Sequence, residues 1–599
     1  MRCLAFALML ISSAAFAGTT LVRDGKSDYV IVLSESASPS EIHAAAEFRL
    51  FVKQVSGADL PQVNARKPLP THAIFIGDTR ALGRDKARPD IALLGDEGFV
   101  IRTFGPNLII AGGRLRGTMY GVYTFLEEQL GCRWYTSFVS RIPKTPTITL
   151  PALDTTRRPD FEYRCVQFPD TWDADWAARN NINGPSSAVD APRGGKIECG
   201  RFAHTFWELV PEGDYAKDHP EYFALVDGKR LGGPGGQLCL SNPDVTRIAT
   251  ATLLRWLREN PGAKIWSVSQ NDNGNYCHCP KCMAIAAEEG SQAGPVIRFV
   301  NALADEAAKV RPDVLIDTLA YNYTQEPPKV TRPRPNVRVR LCVFDCVYHP
   351  YEACPPNAPF MKRLRGWGSI MKGVYIWQYT TVFTDYLLPL PQISKLSADI
   401  PMYKRTGVTG VFSLGSHTAG SGPAGSGGFM DGLKAYMLAK LLWNSHADSA
   451  AIVRDYLDGY FGKAGKPIGE YLELLEQRVR GTGLHGWCAT QSIDDVVDLM
   501  TPTVMTGSEK LFDQAEQLAD NPQVLARVKH ARFSIEYVKM MRRMKRAGEV
   551  GTEAERAGAL AELKDLAARC AADGILQWRE GEPLAATVDR LAGTLAKRK

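Results

Sequence analysis

The sequence predicts an α/β protein in three parts: an N-terminal α/β sandwich domain, a central (β/α)8 TIM-like barrel and a C-terminal α-helical domain. Three observations carry the prediction. Strand and helix periods alternate from about residue 20 to 150 and again through the middle of the chain, Pro-rich punctuation over 142–159 separates the two stretches, and the strand signal disappears near residue 446. The expected boundaries are 18–152, 153–445 and 446–599, after a leader at 1–17. A length of 599 residues leaves room for several domains and at least one large core. With 45% hydrophobic and 23% charged residues, disorder and fibrous repeats are excluded. The net charge of +6 is weak for this length and no Lys/Arg-rich block is interleaved with aromatics, so nucleic acid is not an expected partner.

The chain opens on Arg2, an apolar run over 4–11 and Ala15-Phe16-Ala17 before Gly18, the pattern of a secretory signal with a small-residue cleavage site. A mature chain starting near Gly18 and exported, to the periplasm or beyond, is expected. No later stretch is long and apolar enough to span a bilayer. In the first part, 29–33 is a buried-strand run. Pro39-Ser40-Glu41 then opens a helix with Ile42, Ala45, Phe48, Val52 and Val55 on one stripe, closed by Gly57. Strands follow at 73–76, 99–101 and 108–110, and a helix over 116–130 presents Met119, Val122, Tyr123, Leu126 and Leu130 on one face.

Beyond the Pro-rich boundary, short apolar runs recur with room for helices between them, as a (β/α) barrel requires. The runs are 161–166, 222–226, 264–269, 314–320, 337–344, 373–377 and 408–414, and an eighth, counted second, is expected near 176–183. The barrel is expected to close near 433–443. The Gly- and Ser-rich stretch 413–428 reads as a mobile loop over the mouth, and it lacks the Walker pattern for phosphate. From 446 onward the apolar stripes, Ile452, Tyr456 and Tyr460 or Leu511, Ala515 and Leu518, are core of a helical bundle rather than a cofactor site.

The densest chemistry follows the run 264–269. Gln270, Asn271, Asp272 and Asn273 concentrate groups able to hold hydroxyl-rich ligands, with one carboxylate able to transfer a proton; the plainer reading is a polar loop whose Asp caps a turn. Several blocks here resemble the DUF4838 family. They are His204-Thr205-Phe206, His219-Pro220-Glu221-Tyr222-Phe223, Leu238-Cys239-Leu240-Ser241-Asn242-Pro243, Ser269 to Asn273, the cysteines Cys277, Cys279 and Cys282, and Trp377-Gln378-Tyr379. Arg116-Gly117-Thr118-Met119-Tyr120-Gly121-Val122 with Leu130-Gly131-Cys132-Arg133-Trp134 looks like the end of the N-terminal domain of α-glucuronidases and β-N-acetylhexosaminidases, barrel glycosidases with the same domain order.

The resemblance implies a carbohydrate substrate and a glycoside hydrolase that acts on a polysaccharide or glycoconjugate without a catalytic cofactor. Its rival is a non-catalytic glycan-binding protein on a degenerate barrel. In the hexosaminidase relatives the fourth strand ends in an Asp-Glu pair. Here Asn271-Asp272 stands instead, which weighs against an acetamido-assisted mechanism. Because such sites gather at the C-terminal ends of barrel strands, Asp272 is the expected general acid and Asp345, after 337–344, the base or nucleophile. A separation of about 5 to 5.5 Å fits retention and roughly 6.5 to 9.5 Å inversion. The plainer reading pairs Asp345 with Arg338, Arg340 or His349, and Asp317 is a third carboxylate of unknown facing. Trp377 and Tyr379 are expected as an aromatic floor for a pyranose ring, with ordinary core packing as the alternative. Tyr321, Tyr323 and His204 are further expected hydroxyl contacts.

Twelve cysteines remain once Cys3 is removed with the leader. Cys277, Cys279 and Cys282 form one group, and Cys342, Cys346, His349 and Cys354 a second. If both meet at one rim, export favours disulfides between the loops. A structural zinc held by the three thiolates and one ligand of the second group is the competing occupant.

Overall fold

The computed structural model describes residues 19–65, 68–77, 89–489 and 498–596, so the leader expected at 1–17 lies outside the described residues. Two compact units form. One comprises 1–133, 141–158 and 191–194, and the other 134–140, 159–190 and 195–599.

The first unit is built on a six-stranded mixed sheet in the order Asp154–Arg157, Phe99–Phe104, Asn107–Gly112, Ala73–Ile76, Val30–Leu33, Gln62–Asn64. Helices Pro39–Ser56 and Gly117–Glu128 pack against each other. The first starts where Ser38 and Glu41 cap each other's backbone amides and ends at Gly57, whose φ of 85° is the left-handed closure that glycine accepts without strain. Ala45, Phe48, Val52 and Val55 are buried as their spacing predicts, whereas Ile42 is 52% exposed and leaves the stripe.

The second unit holds a seven-stranded, all-parallel sheet. Its strands are β1 Tyr163–Gln167, β2 Cys199–Arg201, β3 Ile265–Ser267, β4 Leu315–Ala320, β5 Val337–Cys342, β6 Val374–Tyr379 and β7 Val408–Leu414. They pair in the order β1-β7-β6-β5-β4-β3-β2. The run 222–226 is not among them. Ala224–Val226 instead folds back on Lys229–Leu231 as an antiparallel hairpin, because the glycine at 228 (φ 76°) turns the chain where a barrel strand would continue. Cys199–Arg201, too short and polar to read as a strand, takes the vacated place.

No ladder joins β1 to β2, and the segment around Asn183 lies along β1 in its place. The Asn183 amide oxygen accepts the Arg164 N–H at 2.9 Å and its Nδ2 donates to the Glu162 carbonyl at 2.9 Å. Its backbone N–H reaches the Arg164 carbonyl at 3.4 Å, and its own carbonyl accepts Ile197 N–H at 2.8 Å. The eighth strand expected near 176–183 is thus a short helix, Ala174–Arg179, followed by an asparagine that supplies ladder bonds from its side chain. We predict that Asn183→Ala destabilises the protein by about 1–3 kcal/mol, since it removes the side-chain partner of the buried Arg164 N–H; chemical denaturation reads this directly. A loss under about 0.5 kcal/mol would remove Asn183 from its role in closure.

Inside the barrel, Arg340 of β5 pairs with Asp317 of β4 through Nε at 2.8 Å. Tyr163 and Phe202, both 5.1 Å from the guanidinium, and Tyr375 and Phe412, both 5.6 Å away, surround it. Asp317 is therefore a core ion pair and not a catalytic candidate. Tyr163 stacks on Tyr375 at 5.2 Å, and Gly410 makes room for the pair, since a Cβ there would lie 2.6 Å from the Tyr375 ring.

Helix Asp431–Trp443 packs on β1, and helices Ser449–Phe461, Gly465–Thr482, Pro502–Leu518, Pro522–Val550, Glu553–Ala572 and Leu584–Ala596 follow. None of the described helices is long and apolar enough to cross a membrane. The stretch 413–428, expected as a mobile loop, is anchored. Ser421–Gly422 pairs with Gly425–Ser426, Ser426 donates to Asp170 at 3.0 Å, and His530 donates to the Ser426 carbonyl at 2.8 Å.

In the loop after β6, Asp385 is half-buried, with the Tyr537 hydroxyl donating to it at 2.7 Å. Burial pushes its carboxyl up to about 7 against that bond. From about pH 4 to 7 the folded state keeps a proton that the unfolded chain has released, so this group's contribution to stability falls as pH rises through that window and levels off above it. Asp385→Asn should accordingly gain in melting temperature relative to wild type as pH is raised from 5 to 8. A difference that stays constant across that range contradicts the protonated carboxyl.

Candidate active site at the barrel mouth

All seven strands run the same way, so the segments after them share one rim. After β3, Asp272 is exposed and accepts a hydrogen bond from the Tyr321 hydroxyl at 2.8 Å. Tyr321 itself follows β4. Burial, and next the Asp272 carboxylate, push its hydroxyl well above the ordinary phenol range, so it stays a neutral donor. His204 follows β2, where Ala203 and His204 both lie at φ 50°. Two successive non-glycine residues in the left-handed region cost about 1–3 kcal/mol each and persist where the surroundings enforce them. Here Nδ1 of His204 donates to the Gln270 carbonyl at 2.8 Å, which sets the tautomer and leaves Nε2 as an acceptor, and the ring lies edge-on to Tyr321 at 5.9 Å.

Strand alternation puts Tyr375, Trp377 and Tyr379 on the inward face of β6 and Gln378 outside, bonded to Ser413 and Tyr403. Trp377 is half-buried on Phe202 (5.5 Å) and Phe412 (4.4 Å), and its indole N–H is buried without a partner. Tyr379, nearer the rim, meets Phe344 at 4.8 Å, and Phe344 meets Tyr321 at 5.4 Å. Phe202 and Phe344 were invisible as site residues because single aromatics carry no spacing signal.

Asp345 is half-buried, and its expected partners are engaged elsewhere. Arg338 pairs with Glu162 at 3.1 Å, Arg340 with Asp317, and His349 Nε2 with the Leu484 carbonyl at 2.7 Å. Burial raises the Asp345 carboxyl above its ordinary range, opposed by Arg363 and Lys395.

Four expected substrate contacts have protein partners of their own. The Gln270 amide nitrogen donates to the Leu319 and Tyr321 carbonyls and Thr324, at 2.7–3.2 Å. Asn271 accepts from Trp207 N–H and donates to the Gly233 and Gly236 carbonyls. Asn273 accepts from Gln237 and donates to the Pro234 and Gly236 carbonyls. These amides buttress the loops under Asp272, the default for polar groups in a buried turn. Tyr323 leans on Tyr276 at 5.0 Å and lines a small cavity with Cys277 and Cys282.

The cysteines divide differently from expectation. Cys277, Cys279 and Cys282 meet Cys239, and the four buried sulfurs all lie within 4.8 Å of one another. Cys239 Sγ is 3.7 Å from that of Cys279 and 4.0 Å from that of Cys282. A tetrahedral zinc with bonds of about 2.3 Å needs sulfurs about 3.8 Å apart, whereas a disulfide needs about 2.05 Å. Backbone N–H groups of Leu225 and Cys282 point at Cys277 and Cys279 sulfurs at 3.3 and 3.5 Å. The chemistry therefore fits a metal, and the loops of the two expected groups are not cross-linked. Cys239, within Leu238-Cys239-Leu240-Ser241, went unassigned because its distance in sequence hid its place in the cluster.

A parallel barrel with an aromatic floor, a hydrogen-bonded carboxylate at its rim and a preceding mixed-sheet unit defines a class, that of barrels built like glycosidases. Residues 134–473 match the family model described as Domain of unknown function (DUF4838), and 22–125 match Glycosyl hydrolase family 67 N-terminus. The chain belongs to the DUF4838 family. No match is found among curated proteins.

Among solved structures, a family GH115 4-O-methyl-α-glucuronidase with specificity for decorated arabinogalactans superposes with a TM-score of 0.60 at 12% identity, covering 94% of this chain and 79% of that one. A GH138 enzyme targeting pectin rhamnogalacturonan II gives 0.51 at 9% identity, covering 95% and 79%. A family 89 glycoside hydrolase from Clostridium perfringens gives 0.50 at 11% identity, covering 88% and 65%. At these identities the likeness is one of fold.

Proposed function

We propose that the chain is an exported glycoside hydrolase that cleaves a polysaccharide or glycoconjugate at the barrel mouth, with Asp272 and Asp345 as its carboxylates. The observation that carries this reading is Asp272, fixed by Tyr321 at 2.8 Å on the same rim as the Trp377 and Tyr379 rings. The leader pattern at 1–17 supports export, to the periplasm or beyond. The family 67 N-terminal match and the glycosidase fold support the reaction class.

In hydrolysis one carboxyl protonates the glycosidic oxygen as the C1–O bond breaks, while the other attacks C1 or takes a proton from the attacking water. Asp272 accepts the Tyr321 bond as a carboxylate does, which suits attack or base catalysis and leaves proton donation to Asp345. This reverses the roles expected from the sequence. The four thiols would hold a structural zinc, and an ion ligated by four thiolates would have no open position for substrate, so the proposed catalysis uses no cofactor.

One observation favours the glycan-binding rival: Phe344, not Asp345, packs between Tyr321 and Tyr379. The test is sugar release by purified protein from aryl glycosides and complex glycans, starting with decorated arabinogalactans and rhamnogalacturonan II. Release establishes hydrolysis and names the sugar. Tight binding with no release from any of them supports the binding protein.

A further inference from the structure

On the far side of Asp345 lies a second set of metal-ligating side chains that the four-thiol cluster does not use. One ligand atom each from Cys346, His349 and His485 falls within 4.8 Å of the others. His485 Nδ1 is 3.3 Å from Cys346 Sγ, and Cys354 lies outside that set but beside it, its Sγ 3.6 Å from the same nitrogen. We infer that Cys346, Cys354, His349 and His485 form a zinc site that fastens the loop after β5 to the loop after helix Gly465–Thr482.

The two sulfur–nitrogen separations at His485, 3.3 and 3.6 Å, agree with the chemistry, and Cys354 completes the set by a small loop movement. Zinc bonds of about 2.3 Å to sulfur and 2.0–2.1 Å to nitrogen place tetrahedral S and N ligands about 3.5 Å apart. The histidine is already set for the role, since Nε2 of His349 donates to the Leu484 carbonyl at 2.7 Å, which leaves the Nδ1 lone pair for a cation. A ring nitrogen bonded to a carbonyl while the other binds metal is the usual outer-shell arrangement. The loop is held from behind by buried Asn357, which donates to the carbonyls of Cys346 (3.2 Å) and His349 (3.4 Å).

Both sulfurs are buried, whereas His485 is exposed, so the site opens toward solvent on one side and an ion can enter there. Lys395 is the nearby buried cation, and its ammonium is paired with Asp399 at 2.6 Å, so no unpaired positive charge opposes a divalent ion. Two thiolates and two neutral imidazoles balance the charge of zinc. The ion also has a structural task here, because the two loops are otherwise joined by few bonds, among them Val347 N–H to the Gly486 carbonyl at 2.8 Å.

The experiment measures zinc by mass spectrometry in the full chain after dialysis against metal-free buffer. It compares wild type, His485→Ala, Cys279→Ser and the double variant. Two equivalents in wild type, one in each single variant and none in the double variant are expected. His485 is exposed, so its variant keeps the fold, which circular dichroism checks. Zinc that His485→Ala leaves unchanged overturns the inference. So does a Cys346–Cys354 disulfide in peptides mapped without reductant. Zinc lost in His485→Ala supports this site whatever the fate of the four-thiol ion. Because the readout is metal content, failure here is separate from failure of the glycosidase reading.

Discussion

Asp272→Asn is expected to lower sugar release by about 10²–10⁴-fold, the range for loss of a group that transfers a proton or attacks. Glycan binding and the melting temperature should stay close to wild type, because Asp272 is exposed and its bond from Tyr321 is one an amide oxygen can still accept. Tyr321→Phe tests the same contact from the other side. It removes the hydroxyl but keeps the ring on Phe344, so an intermediate loss of about 10-fold in kcat is expected. Asp345→Asn separates the two readings. A loss as large as that of Asp272→Asn supports a carboxylate pair, whereas full activity without Asp345 removes it from the chemistry. The configuration of the glycosyl azide formed in azide rescue would distinguish a nucleophile from a proton donor, because azide replacing a missing nucleophile inverts C1, whereas azide intercepting a glycosyl-enzyme in a variant lacking the acid/base gives net retention.

Removing the four-thiol zinc is the other large expected effect. Cys279 caps helix Pro280–Glu289, its sulfur accepting Cys282 N–H at 3.5 Å, and it would be one of the ion's four ligands. Cys279→Ser should therefore release one zinc equivalent per chain. It should also lower the melting temperature by about 4 °C, the shift that a loss on the order of 4 kcal/mol produces in a unit of this size. Activity should fall with it, since the loop 270–282 runs from Asp272 into the cluster. Treatment with a strong chelator should reproduce the effect, and added zinc should reverse it. If the four cysteines prove to be two disulfides in the unreduced, denatured protein, the zinc assignment is wrong and reductant, not chelator, becomes the destabilising agent.

Much of the fold was legible because its signals are local. Buried-strand runs and helical stripes report a period of 2 or 3.6 residues, and Ser38, Glu41 and Gly57 mark helix ends by capping chemistry within a few residues. The failures fall where a run satisfies the local signal but the chain turns, as at 222–226 and Gly228. They fall also where a strand place is filled without a strand pattern, as at Cys199–Arg201 and Asn183.

The candidate site divides in the same way. That residues 270–273 carry the polar chemistry was plain from composition. Three of the four spend their side chains on loop carbonyls, a matter of which backbone groups the fold leaves unpaired nearby.

By itself, then, the sequence determined the secondary elements, the barrel they build and the strand ends where polar groups collect, because each depends on neighbours close in the chain. Only the tertiary structure decided which distant groups meet. It brought Tyr321 to Asp272, Asp317 to Arg340, Cys239 to Cys277, Cys279 and Cys282, and His485 to Cys346. Those meetings span from 23 to more than 130 residues of chain. Their partners are chosen by strand order and loop course, quantities that no local period encodes.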